Sequence, residues 1–224
     1  MGRAALEIMA DGGVNNSRCV RVEYDIQSTA GTTVQQFRQE VPPADEYTLQ
    51  YDIYFESNYM STMGGKFHGL VPRRHVTGGR DANPEQWSVR MTLRNRVPSL
   101  YTYEQNANLA FGKGYRQSTY QLQKEKWYSV SLYVKINSSP TKADGVAKIY
   151  INGKLESQAH NIMLHQSDSV NAKIHAFFFS TFLGGQPRNN PVTSLQYVRY
   201  DNFAVIPGKV IRQSPGDGDT TSFQ

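Results

Sequence analysis

The chain has 224 residues, of which 38% are hydrophobic and 12% aromatic, with a formal charge of +5 and a single cysteine. That is enough apolar material for one packed core, and a lone Cys19 excludes both a disulfide framework and the cysteine-rich zinc modules. The surplus of cations favours an acidic partner without naming one, and no run reaches the ~20 apolar residues of a membrane span.

Short runs rich in Tyr, Phe, Val and Thr, broken by Gly, Pro, Asn and Ser, predict an all-β fold. In chain order the predicted strands cover residues 19–26, 47–55, 87–94, 100–105, 127–136, 146–151, 174–183 and 194–205. Their number and spacing fit a sandwich of two antiparallel sheets. Asn152-Gly153 tolerates positive φ at both turn positions and so predicts a tight hairpin between 146–151 and the residues from Lys154 onward.

Residues 71–84 carry Arg73, Arg74 and Arg80 among glycine and proline breakers, the composition of an exposed basic loop beside a binding site. One domain is expected over 1–207. Residues 208–224 are polar and glycine-rich, as in a flexible tail. The segment 1–9 lacks the apolar stretch of a signal peptide, and the sequons at Asn15 and Asn137 are too common to decide secretion.

A period of two across 87–94 sends Val89, Met91 and Leu93 to a core face and Ser88, Arg90, Thr92 and Arg94 to the other. Tyr101 and Tyr103 share one side of the next strand, and the short connection between the two makes them hairpin partners, with both phenols beside Arg90. In Gly64-Gly65-Lys66-Phe67-His68-Gly69-Leu70 the same alternation puts Lys66 and His68 on one face and Phe67 on the other.

Cations, hydroxyls and paired tyrosines on one sheet suit a polymer that carries carboxylates, because arginine binds a carboxylate bidentately and tyrosines line sugar rings. They also suit a reaction. Breaking a 4-linked uronide by β-elimination removes the proton at C5, whose acidity rises when the adjacent carboxylate is neutralised. A base and an acid complete the chemistry. A phenol with a reference pKa near 10, lowered by nearby cations, can serve as either. The scheme requires no metal and no other cofactor.

Competing motifs are missing or weak. Gly65-Lys66 is followed by Phe67 rather than Ser or Thr, so there is no phosphate-binding loop. His68, His75, His160, His165 and His175 are scattered, which gives a histidine metal site little support, and His160 and His165 are expected at the surface. Asp52 and Glu56 have the composition of a glycosidase acid pair, but a four-residue offset along a strand does not set their separation. Basic residues interleaved with aromatics also occur in nucleic-acid binders, yet no recognition module accompanies them.

The ordered set Gly64-Gly65-Lys66-Phe67-His68-Gly69-Leu70, Trp87-Ser88-Val89-Arg90, Tyr101-Thr102-Tyr103 and Phe179-Ser180-Thr181-Phe182-Leu183-Gly184-Gly185 resembles polysaccharide lyase family fourteen, the alginate and glucuronan lyases. The hairpin at 150–154 and the closing 200–205 extend the resemblance over most of the domain. It implies a β-jelly-roll sandwich with a substrate cleft on a concave sheet, acting on an anionic polysaccharide outside the cell or at a cell wall, with neither nucleic acid nor membrane as partner.

Carried over by motif position, Lys66, Arg90, Tyr101 and Tyr103 are the implied catalytic group. Ser88 and His68 are the implied substrate contacts. Arg90 with Ser88 would hold and neutralise the carboxylate, while Lys66 either adds charge or acts as base, and the two tyrosines divide the remaining proton transfers. Relatives often carry Pro where this chain has His68, so His68 is either an extra base or a histidine at the loop edge. Two other classes fit the same residues: a noncatalytic lectin-like module, which would bind glycans without forming product, and a nucleic-acid binder of strongly salt-dependent affinity.

Overall fold

The computed structural model describes residues 6–24, 35–59, 64–79, 83–107, 109–183 and 194–217. Its strands in chain order are β1 (Leu6–Met9), β2 (Cys19–Tyr24), β3 (Gln35–Ala44), β4 (Glu46–Phe55), β5 (Gly64–Val71), β6 (Ser88–Arg94) and β7 (Val97–Tyr103). They continue as β8 (Lys113–Tyr115), β9 (Trp127–Lys135), β10 (Gly145–Ile151), β11 (Lys154–Ile162), β12 (Ile174–Leu183) and β13 (Gln196–Pro207). A seven-stranded sheet in the order β1-β2-β13-β4-β9-β10-β11 packs on a six-stranded sheet in the order β3-β12-β5-β6-β7-β8. This is the expected all-β jelly-roll sandwich.

The core lies between the sheets. Leu49, Tyr51 and Ile53 of β4 and Val130 and Leu132 of β9 belong to one buried cluster with Phe67 and Leu70 of β5, Val89 and Met91 of β6, and Phe177 and Phe179 of β12. Each such side chain contributes roughly 1.5–3 kcal/mol by leaving water. Two tight turns fix the register of the strands beside it. Asn152 and Gly153 both have positive φ, 47° and 76°, and Asn95 and Arg96 likewise close the β6–β7 hairpin at 51° and 58°.

Strand β3 was missed by the reading of periodicity. Its sequence QQFRQEVPPA is polar and ends in two prolines, which an interior strand would not tolerate, but β3 forms the edge of its sheet. Strands β1 and β8 are also edges, four and three residues long.

The expectation of a flexible tail from residue 208 does not describe residues 208–217. They lie along the outer face of the seven-stranded sheet, where Thr48 donates to the Gly208 carbonyl, Gln50 to that of Val210, and Ser129 to that of Arg212. Outward polar side chains of β4 and β9 thus gain partners, and Arg212 reaches Asp52 at 3.2 Å. Residues 218–224 lie outside the described residues.

That face also accounts for the two carboxylates considered as glycosidase acids. Asp52 is fully buried under Arg212, Asn202 and the Gly216 amide, and Glu56 bridges Arg21 and Arg199, each at 2.8 Å. Both are structural, Asp52 within β4 and Glu56 directly after it, on the sheet opposite the candidate site. His165, expected at the surface, is buried with its ring nitrogens 2.7 Å and 2.8 Å from the carbonyls of Ser167 and Asn137. The Asn137 amide is itself buried and bonded to Ser139, Leu164 and His165, so this sequon does not present its nitrogen to solvent.

Candidate active site

The outward face of the six-stranded sheet gathers the predicted chemistry. Register pairs Ser88 with Tyr103 and Arg90 with Tyr101 across the β6–β7 hairpin, so these four side chains share a face. Strand β5 adds Lys66, opposite Thr92, and strand β12 adds Phe178, opposite Gly69, which in turn pairs with Arg90.

A β-bulge makes this alignment and relocates one predicted residue. From Thr92 to Arg90 is two steps on β6, yet the matching span on β5, Lys66 to Gly69, is three. The extra residue breaks the alternation. Lys66 and Gly69 therefore both lie on the outer face, while Phe67 and His68 both turn inward and are fully buried. His68 packs against Tyr51, Phe179 and Tyr200, with centroids 4.9 Å, 4.2 Å and 4.5 Å away.

The expectation that His68 shares a face with Lys66 and meets substrate is thus corrected by the bulge. Its Nδ1 accepts the Ser180 amide at 3.2 Å, and its Nε2 has no hydrogen-bond partner among the described residues. Burial lowers its pKa to about 3, so the ring is neutral.

Arg90 forms the floor. It is 2% exposed, its NH1 is 3.5 Å from Ser180 Oγ, and its Nε has no hydrogen-bond partner among the described residues. A side chain on Gly69 would meet the Val89 carbonyl at 2.1 Å and Arg90 Cγ at 2.6 Å, so only glycine lets the arginine cross here. Burial lowers the guanidinium to about 10, which leaves it charged at neutral pH.

Lys66 is mostly buried, with Nζ 3.2 Å from the centroid of the Tyr101 ring. Burial, with repulsion from Arg90 and Arg116, pulls its pKa down to about 7. Tyr101 moves the other way. Burial and the neighbouring Tyr103, to which it is hydrogen-bonded, raise it to about 12 against the opposing pull of Arg90. The two rings meet edge to face at 5.8 Å, and the Tyr103 hydroxyl also accepts the Gly79 amide at 2.9 Å.

The loop after β5 walls this floor. Arg38 donates to the carbonyls of Pro72 and Arg73, and Ser88 donates to that of Val76 at 2.9 Å. Ser88 is fully buried, so its hydroxyl is engaged in holding the loop. Arg73 and Arg74 are exposed on the same loop, as expected, while Arg80 lies outside the described residues.

His75 was not singled out by sequence reasoning, because nothing in its local pattern marks it. Its ring lies 4.4 Å from that of Phe178, and burial together with Arg38 and Arg90 lowers its pKa to about 4. Among the described residues, every charged neighbour that shifts Lys66 or His75 is a cation. The charge gathered at the site is positive.

The family model described as polysaccharide lyase 14 matches residues 14–203. The chain belongs to that family. It is a polysaccharide lyase, and the match spans every strand of the site described above. Among solved structures, alginate lyase Aly36B is 25% identical, with 87% of this chain and 82% of that chain covered and a TM-score of 0.72.

The fold recurs in an alginate lyase from Aplysia kurodai, 22% identical over 93% of this chain and 89% of that one, with a TM-score of 0.72. It also recurs in an endo-β-1,4-glucuronan lyase from the fungus Trichoderma reesei, 13% identical over 92% and 88%, with a TM-score of 0.60. No curated protein matches the chain significantly.

Proposed function

We propose that this lyase cleaves 4-linked polyuronates, the class that includes alginate and glucuronan, by β-elimination. The observation that carries the reading is Arg90: a guanidinium 2% exposed that, among the described residues, has an unpartnered Nε and phenols rather than a carboxylate beside it. A buried cation without a counter-ion costs stability, and an incoming carboxylate would supply what is missing. Variants of Aly36B hold an alginate trisaccharide and an alginate tetrasaccharide, which supports an anionic polysaccharide as the ligand of this fold.

The proton transfers follow from the shifts. Arg90 neutralises the uronate carboxylate and so acidifies the C5–H bond. Lys66, with a pKa of about 7, offers a neutral amine at mildly alkaline pH and takes the C5 proton. Electrons of the broken C–H bond form the C4=C5 double bond and expel the glycosidic oxygen at C4. Tyr101, kept protonated by a pKa of about 12, gives that oxygen its proton. Tyr103, tied to Gly79 and Tyr101, holds the acid in place. Ser88 keeps the loop wall closed.

The test is mass analysis of products from defined mannuronate, guluronate and glucuronate oligomers. At each cleavage, elimination leaves the fragment with the unsaturated end lighter by one water than hydrolysis would. Binding without any product would instead select a lectin-like module.

A further inference from the structure

Phe111 is 65% exposed, the most solvent-accessible large apolar side chain among the described residues. Burial in the core does not explain it. Its place in the fold does, because three contacts tie its loop to the candidate site. A side chain added at Gly79 would meet Phe111 Cε1 at 2.8 Å, so the ring packs directly against that glycine, and the Gly79 amide is the one bonded to the Tyr103 hydroxyl. The preceding carbonyl, of Ala110, is 3.1 Å from the same point. On the other side, a side chain at Gly112 would meet the Tyr101 ring at 2.8 Å.

Phe111 therefore stands at the rim of the site, its loop packed on Tyr101 through Gly112 and on Gly79, whose amide holds the Tyr103 hydroxyl. Gly79, with φ of +75°, and Gly112 are the two positions whose lack of a side chain allows this.

Resting on the lyase reading above, we propose that Phe111 is the platform of an adjoining subsite, where it stacks on the C–H face of a neighbouring pyranose ring of the same polyuronate chain. An aromatic face is suited to the apolar side of a sugar ring, and this one sits one residue before Gly112, which packs on the Tyr101 ring that would flank the ring being cleaved. The subsite lacks a cation of its own at Phe111. It reads the ring's apolar face, while Arg90 and Lys66 read the charge.

The experiment compares the chain with Phe111→Ala and Phe111→Trp, using a long polyuronate and short oligouronates as substrates and thermal melting as the control for folding. Phe111→Ala should raise KM on the long polymer by roughly three- to tenfold. Its effect on kcat should be smaller, and the KM effect should shrink on oligomers too short to span both rings. Phe111→Trp should restore KM to within about twofold of the parent, and its indole fluorescence should change saturably with oligouronate beyond the change shown by the parent chain.

A KM for Phe111→Ala equal to that of the parent on every length, with the parent active, would overturn the subsite and leave the lyase reading standing. A parent that makes no product on any uronide, while the Phe111→Trp signal still saturates, would overturn the lyase reading and keep the subsite. Neither product nor fluorescence change would overturn both.

Discussion

The ammonium of Lys66 rests 3.2 Å from the centroid of the Tyr101 ring, with Arg90 and Arg116 as the cations that repel it. One residue is pulled down toward neutrality and the other pushed up to about 12. A base and an acid are thereby set side by side from groups whose ordinary pKa values nearly coincide.

This arrangement predicts a pH dependence. The kcat/KM of the free enzyme should rise through about pH 7 as Lys66 loses its proton, and Lys66→Met should abolish that limb with activity reduced by about 100-fold or more. Stability moves as well. The folded pKa of about 7 lies below the reference value of 10.5, so between these pH values the unfolded chain holds more protons and stability rises with pH. Lys66→Met should therefore gain about 2–4 kcal/mol over the parent at pH 6. That advantage should fade as pH approaches 10, which denaturant melts at several pH values will check.

Arg90 gives the clearest opposition of function and stability. Arg90→Met removes a buried guanidinium that has no counter-ion among the described residues, so the variant should melt at or above the parent's temperature while losing nearly all activity. Arg90→Lys keeps the charge but not the planar fork, and kcat/KM should fall by about 100-fold. Calorimetry and initial rates on one polyuronate measure both.

The tyrosines should separate by role. Tyr101→Phe removes the proton donor and should lower kcat by about 100- to 1,000-fold with the fold intact. Tyr103→Phe removes the acceptor for Gly79 and the partner of Tyr101, and should lower activity less, by about tenfold. Rates of both variants at saturating substrate, with melting curves, decide the order.

His68 should appear in acid stability rather than in the rate. Its folded pKa of about 3 lies below the reference 6.5, so the unfolded chain alone takes up a proton in that window and stability falls as pH drops through it. The loss should reach about 2–3 kcal/mol between pH 7 and 4.5. His68→Gln, which keeps an acceptor for the Ser180 amide, should flatten that slope.

Much of this was legible in the chain. The alternation of 87–94 and the close following of Tyr101 and Tyr103 were enough to set both phenols beside Arg90, and register pairs them as expected. His68 was misplaced because a period of two assumes an unbroken ladder, and one extra residue between Lys66 and Gly69 leaves no trace in composition. Ser88 was placed on the right face, but its hydroxyl answers a carbonyl 12 residues earlier in the chain, a contact made only by folding.

The segment 208–217 read as a tail because it is polar, yet it meets an outer sheet face whose Thr48, Gln50, Ser129 and Ser131 need partners. His75 reaches Phe178 through the course of its loop, which no local pattern encodes.

The most direct measurement follows ultraviolet absorbance over time with a polyuronate and with the same polymer after its carboxyl groups are reduced to alcohols. The account predicts a steady rise from the conjugated unsaturated product with the acidic polymer and none with the reduced one. Absence of any rise across alginate and glucuronan with folded protein, or equal cleavage of the reduced polymer, would contradict it.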